Sequence, residues 1–218
     1  MASLGHGSRH VRRPILAEVF ASARHILDRL TGPSSRADEL HDVRCRLAEQ
    51  AGPGFASAAE ERLALRLRVL REEMSARVGK VEACGQCVRP RSASWPGGHC
   101  CSAQTQNLFT EVELAALKLS GTRPAQLKPP RGDHAGCAFR GPQGCSLDTA
   151  HRPSLCVRYV CRELQDELDG RSDSPAIGQL QEELKAVFER FQKIRTERTE
   201  ANHFEELKAS LRDRAGHR

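Results

Sequence analysis

Eight of the nine cysteines in this chain fall between positions 84 and 161: Cys84, Cys87, Cys100, Cys101, Cys137, Cys145, Cys156 and Cys161. The ninth, Cys45, stands apart. The same stretch holds seven of the 11 prolines and the single Trp and Tyr, so a regular apolar rhythm is repeatedly broken there. A segment rich in thiols and poor in periodic apolar residues is expected to need something besides burial to hold it together. Composition points the same way. The hydrophobic fraction of the 218 residues is 39% and the aromatic fraction 4%, against about 45–50% apolar residues in ordinary domains when Gly is counted. A thin supply of Phe, Tyr, Trp and Ile leaves less surface to remove from water. The length accommodates one or two domains.

Whether those thiols are disulfides or ligands depends on the compartment. The N-terminal stretch has early basic residues (Arg9, Arg12, Arg13) but no apolar run of the length a signal peptide needs. Its one apolar stretch, Pro14 to Leu30, is interrupted by Glu18 and Arg24 and reads as an amphipathic helix. Nothing approaches the roughly 20 consecutive apolar residues of a membrane span. The expectation is a cytoplasmic protein without a membrane segment, where cysteines stay reduced and clustered thiols serve metal binding or redox chemistry.

Spacing favours metal. Cys84-Gly85-Gln86-Cys87 is a CxxC pair, which lets two thiolates converge on one ion while the backbone turns around it. Gly85 eases that turn because it tolerates positive φ. A redox CxxC normally opens a helix after a strand. Here a charged helix precedes the pair and a Pro/Arg/Ser-rich loop follows it. Cys100 and Cys101 are adjacent, and a disulfide between neighbours strains the usual Cα separation of about 4.4–6.8 Å. The pair is better explained by thiolates serving two ions, or gripping one polynuclear cluster. Cys156 and Cys161, five positions apart, sit about 140° apart on a regular helix and so face different sites, unless the helix begins between them. Eight thiols suffice for two four-cysteine sites, or for one site with thiols to spare.

These residues resemble a known family, the CxxCxxCC or YkgJ-like cysteine-cluster proteins, described as zinc- or iron-chelating domains. The resemblance runs from about Val81 to Leu164. Its strongest part is Gly136-Cys137-Ala138-Phe139, Gly144-Cys145-Ser146-Leu147-Asp148, Arg152-Pro153-Ser154-Leu155-Cys156 and Tyr159-Val160-Cys161. Upstream, Cys84 and Cys87 match the family's opening CxxC, and Cys100-Cys101 its CC. The departures are a longer insert between those pairs (Val88 to His99), Asp148 where an aromatic is common, and Val157 between Cys156 and Arg158. The resemblance implies that the eight cysteines are a ligand pool for zinc or, as in some relatives, for an iron–sulfur cluster.

The flanks read as helices. Leu16, Phe20, Ala23, Leu27 and Leu30 repeat at steps of four and three, and Thr31-Gly32-Pro33 stops that helix. A second helix is expected from Ser35 to Gln50. A third runs from Ser57 to Val78, with Ser57 and Glu60 as a capping box, a stripe of Leu63, Leu67, Leu70, Met74 and Val78, and Arg71 among the residues on its other faces. Thr110 and Glu113 suggest another capping box on a short helix ending at Gly121, after which Gly121 to Gly136 reads as loop. Ser174 caps the last helix with Pro175 in its first position, and Leu180, Leu184, Val187, Phe191 and Ile194 line it, with Phe204, Leu207 and Leu211 continuing less regularly. Its strict seam is too short for a convincing coiled coil. Packing within one chain, as a monomer, is the expected arrangement. No strand run and no internal repeat is visible.

Other chemistries find less support. The net charge of +6 raises nucleic acid, yet the arginines alternate with Glu and Asp along each helix, and single-strand binding wants aromatic platforms that a 4% aromatic chain lacks. His99, His134 and His151 stand near cysteines and are alternative ligands, with loop or supporting roles the simpler expectation. Arg152 is placed to donate to cluster sulfurs or to backbone carbonyls, Tyr159 to pack, and Cys45 to be a small buried hydrophobe. No phosphate-cradling loop, nucleophilic serine or carboxylate pair stands out. Four thiolates fill a tetrahedral zinc and leave no position for water, so zinc here would be structural. Iron–sulfur ligation is also thiolate-based.

The resulting expectation is a mainly α protein, its helical N- and C-terminal segments flanking an irregular, metal-stabilised Cys-rich domain. Its parts are an N-terminal helical region (1–80), a cysteine-cluster domain (81–165) and a C-terminal amphipathic helix (172–214). The function expected is zinc or iron–sulfur binding in a structural or redox accessory role, with a protein partner. The alternatives are an iron–sulfur enzyme or assistant that modifies another macromolecule and, less so, a zinc-stapled nucleic-acid-binding module.

Overall fold

The structure is a computed structural model and describes residues 36–79, 105–131, 137–141, 144–160 and 162–216. The expected helix from Pro14 to Leu30 lies outside these residues. Helix α1 spans Arg36–Glu49 and buries Leu40, Val43 and Leu47, a three-four stripe, with Asp38 and Glu39 in its first turn and Arg46 in its last. That charge order complements the helix dipole. Helix α2, Ala58–Val78, starts as its sequence dictates. The Ser57 hydroxyl accepts the Glu60 N–H at 3.2 Å, and the Glu60 carboxylate accepts the Ser57 N–H at 2.8 Å. Gly79, at φ 65°, closes it. Its exposed end carbonyls, Arg77 and Val78, accept the Arg171 guanidinium at 2.7 and 2.9 Å.

A one-turn helix α3 (Thr105–Leu108) leads into α4 (Glu111–Leu119), capped by Thr110. The end of α4 is a Schellman motif: Gly121 N–H donates to Lys118 and Thr122 N–H to Leu117, at 3.0 and 2.9 Å. Gly121 sits at φ 92°, a conformation an L side chain rarely adopts. The described part of the expected loop after it contains a 3₁₀ turn, Pro124–Gln126. Two-residue strands β1 (Arg140–Gly141) and β2 (Gly144–Cys145) then pair antiparallel, Arg140 opposite Cys145. A second 3₁₀ turn (Thr149–His151), α5 (Ser154–Arg158) and α6 (Arg162–Asp169) follow, and α7 (Ser174–Gly216) closes the chain.

Mainly helical architecture is therefore observed, with α2 as its centre. One face of α2 meets α7 and α4: Ala64, Leu67 and Leu70 pack with Ala115, Ala116, Leu119, Leu184 and Phe191. Its C-terminal end, at Met74, packs with Leu164, Leu168 and Ile177. Leu67, Leu70 and Met74 are buried as expected, while Leu63 and Val78 are only partly so. Arg71, expected on a solvated face, is instead completely buried, because it falls four positions after Leu67 and three before Met74 and so lies within the stripe. Phe204, Leu207 and Leu211 are exposed, on a part of α7 that runs past the core.

The cysteine-rich middle has more apolar packing than its sequence suggested. Leu108, Phe109, Leu114, Leu117, Leu127, Phe139 and Leu147 form one core cluster with Leu40, Val43 and Leu47 of α1. The segment looks short of core only when read alone, because three residues of this cluster come from a helix far away in sequence. Polar tethers reinforce the contact. Arg44 donates twice to the Leu127 carbonyl, at 3.0 and 2.7 Å, Arg46 to the Phe109 carbonyl at 2.8 Å, and Thr105 to the Glu39 carboxylate.

Candidate metal centre

Of the eight cysteines in the ligand pool, Cys137, Cys145 and Cys156 belong to the described residues. Cys84, Cys87, Cys100, Cys101 and Cys161 lie outside them, as do His99 and His134. Cys137 precedes the hairpin and is buried in the core cluster shared with α1. Its carbonyl accepts the Arg140 N–H at 2.9 Å and the Arg36 guanidinium at 2.5 Å. The same guanidinium donates to the Arg140 carbonyl at 2.7 Å, so the start of α1 grips the start of the hairpin. Cys145 lies on β2 with its side chain exposed, across the ladder from Arg140. Next to it, the Ser146 hydroxyl donates to the Lys128 carbonyl at 2.8 Å, which ties β2 to the preceding loop.

Cys156 is carried by α5, and it too is exposed. Five residues cannot sustain a helix alone, and the residue at its N-cap, Pro153, gives no side-chain cap. The cap comes from α4. The Glu113 carboxylate accepts the Ser154 N–H at 2.9 Å and the Ser154 hydroxyl at 3.3 Å. The capping box expected at Thr110 is thus only half made: Thr110 Oγ1 accepts the Glu113 N–H at 3.3 Å, but the Glu113 side chain is engaged at α5. Burial pushes the Glu113 carboxyl above its ordinary value, against the pull of the Ser154 bonds and the nearby Arg71 charge. Arg71 itself is brought down to about 10, again by burial, with Glu113 opposing. Its guanidinium donates to the Arg152 carbonyl and to the Ser120 hydroxyl, each at 3.3 Å, while its Nε has no hydrogen-bond partner.

The remaining candidates take supporting places. His151 is buried, with Nδ1 3.0 Å from the Thr122 hydroxyl, and burial lowers its pKa. Arg152 takes the second of its expected roles, donating from Nε to the Leu147 carbonyl at 2.9 Å. Tyr159, expected to pack, is 47% exposed at the end of α5. Cys45, expected to be buried, is exposed on α1 with its sulfur 3.5 Å from His41 Nε2. Arg71 and Glu113 are the residues that sequence reasoning underrated. The stripe position of Arg71 was the available signal; no local pattern points from Glu113 to a partner 41 residues away.

Among the described residues, no three His, Cys, Asp or Glu side chains gather into a group able to hold a metal ion. Cys137, Cys145 and Cys156 therefore do not make a site by themselves. As donors, thiolates suit zinc, copper(I) and iron–sulfur centres rather than hard cations. Two of the three reach the surface from backbone held by hydrogen bonds, so they suit a site completed by further thiolates. No helix among the described residues is long and apolar enough to cross a membrane. No family model, curated protein or solved structure matches the chain.

Proposed function

We propose that this chain is a metal-binding protein in which Cys84, Cys87, Cys100, Cys101, Cys137, Cys145, Cys156 and Cys161 form the ligand pool for zinc or an iron–sulfur cluster, in a structural or redox accessory role. The observation that carries the reading is the confinement of eight thiols to positions 84–161, with a CxxC pair and an adjacent CC pair. The resemblance to the CxxCxxCC family over Val81 to Leu164 supports it. So does the placement of Cys145 and Cys156 at the surface on short elements, one tied to a neighbouring loop and the other capped from α4. In this reading the metal stabilises the cysteine loops, while burial against α1 and α2 stabilises their base. Bound zinc contributes folding free energy locally, since its ligands are not prearranged in the unfolded chain.

Metal analysis with a visible spectrum of anaerobically purified protein tests the proposal. Stoichiometric zinc in a colourless protein, released by a strong chelator, identifies a structural clamp. A brown protein whose visible absorbance bleaches on reduction identifies an iron–sulfur centre and the redox role. Neither metal at stoichiometric level ends the proposal.

A further inference from the structure

We infer that Glu113 is a positioning residue for Cys156, an inference that rests on the metal-binding reading above. Cys156 sits on a helix of five residues, too short to hold its own orientation. What orients it comes from outside. At Ser154, two positions before the thiol, the backbone N–H and the hydroxyl both donate to the Glu113 carboxylate. At Arg152, two positions earlier, the carbonyl accepts the Arg71 guanidinium. Both anchors stand on α4 and α2, whose apolar faces are packed together in one core cluster. Ser154, Glu113 and Arg71 are all buried, whereas Leu155 and Cys156 are exposed. The base of α5 is thus clamped and its thiol left accessible.

A hydroxyl or carboxylate at position 153 would cap this helix at the Leu155 or Cys156 N–H without burying any charge. The chain has Pro153 there, and buries a carboxylate and a guanidinium instead, an arrangement that is costly in desolvation. Stabilising one turn of helix does not account for that. Fixing the point from which a ligand projects does, in the way outer partners orient metal ligands generally. Glu113 makes the contact to the N–H directly. Arg71 acts one step further back, holding the Arg152 carbonyl and attracting the Glu113 charge.

The test uses anaerobically purified holoprotein of measured metal content, alkylated with iodoacetamide and mapped cysteine by cysteine by mass spectrometry. In the wild type, Cys156 is protected by its metal. Glu113→Ala is expected to speed alkylation of Cys156 by about 10–100-fold, the usual effect of losing an orienting partner, with Cys145 unchanged. Leu47→Ala, a core substitution on α1, controls for lost stability and is expected to leave Cys156 protected. Should Glu113→Ala fail to fold, Glu113→Gln keeps one carbonyl acceptor for Ser154 and gives the same selective rise at smaller size. No rise in the Glu113 variants, or an equal rise in Leu47→Ala, overturns the inference while leaving metal binding intact. A wild-type protein without metal removes the reading and the inference together.

Discussion

The thiol of Cys45 lies on the solvent side of α1, 3.5 Å from the imidazole of His41 one turn earlier. Cysteine is among the residues most often buried, and α1 is amphipathic, so burial was a reasonable expectation from residue type. Periodicity decides otherwise. The buried positions are 40, 43 and 47, and position 45 falls about 140–160° around the helix from each of them. Native protein is therefore expected to alkylate at Cys45 without unfolding, and Cys45→Ser to change stability by no more than about 0.5 kcal/mol. Labelling that appears only in denaturant would show that the face is covered. Arg71 is the reverse case, a charged residue placed inside by its register between Leu67 and Met74. At this scale the helical period is the more reliable guide, and residue type the less.

Helix boundaries depend on short-range chemistry, and for that reason they were largely legible. Ser57 with Glu60 marked the start of α2, and Gly121 the end of α4, because each device acts within one turn. Partners contributed by another helix were not legible. Glu60 is one: besides capping α2, its buried carboxylate receives Arg198 from α7 at 2.7 Å and Arg195 at 3.5 Å. Burial alone would raise its pKa, but the bonds from Arg198 and Ser57 prevail and hold it below the ordinary carboxylate value. The sign follows. A carboxyl that is harder to protonate when folded contributes stability fully above its unfolded pKa, about 4.3, and loses it as pH falls through the lower folded value. Glu60→Gln is expected to destabilise by about 1.5–3 kcal/mol at pH 7, the range for hydrogen bonds to a charged group. Its stability should then fall less than wild type's between pH 5 and the acid limit. Parallel acid curves in thermal melts of the two proteins would remove Glu60 from the acid response.

For the molecule as a whole, the low apolar content of the middle segment suggested a part stabilised mainly by metal, yet Phe109, Leu114, Leu127 and Phe139 share a core with Leu40, Val43 and Leu47 of α1. A segment's own composition misses that contribution, because the complementary face lies some 60 or more positions away along the chain. The thiol inventory of the candidate site was legible as residue type and spacing, whereas the Glu113 and Arg71 anchors were not, being pairings between distant helices. The C-terminal helix marks where the packed body ends. At 43 residues α7 is about 65 Å long, more than the core can cover. Its stripe is buried at Ile177, Leu184 and Phe191, its last ion pairs to the body among the described residues are those of Arg195 and Arg198 with Glu60, and from Thr199 to Leu207 its side chains are exposed. Phe204, Leu207 and Leu211 stand about 140–160° around the helix from Phe191, so they do not extend the buried stripe. Phe191→Ala is accordingly expected to cost about 3–5 kcal/mol, as for other buried aromatics. Ending the chain after Asn202 should shift stability by no more than about 0.5 kcal/mol, since the described side chains it removes, His203 to Arg212, lie at the surface. Denaturant melts of the two variants separate these outcomes. If the truncation costs as much as Phe191→Ala, the Phe204, Leu207 and Leu211 face is engaged in the folded protein and the body extends further along α7 than its packing indicates.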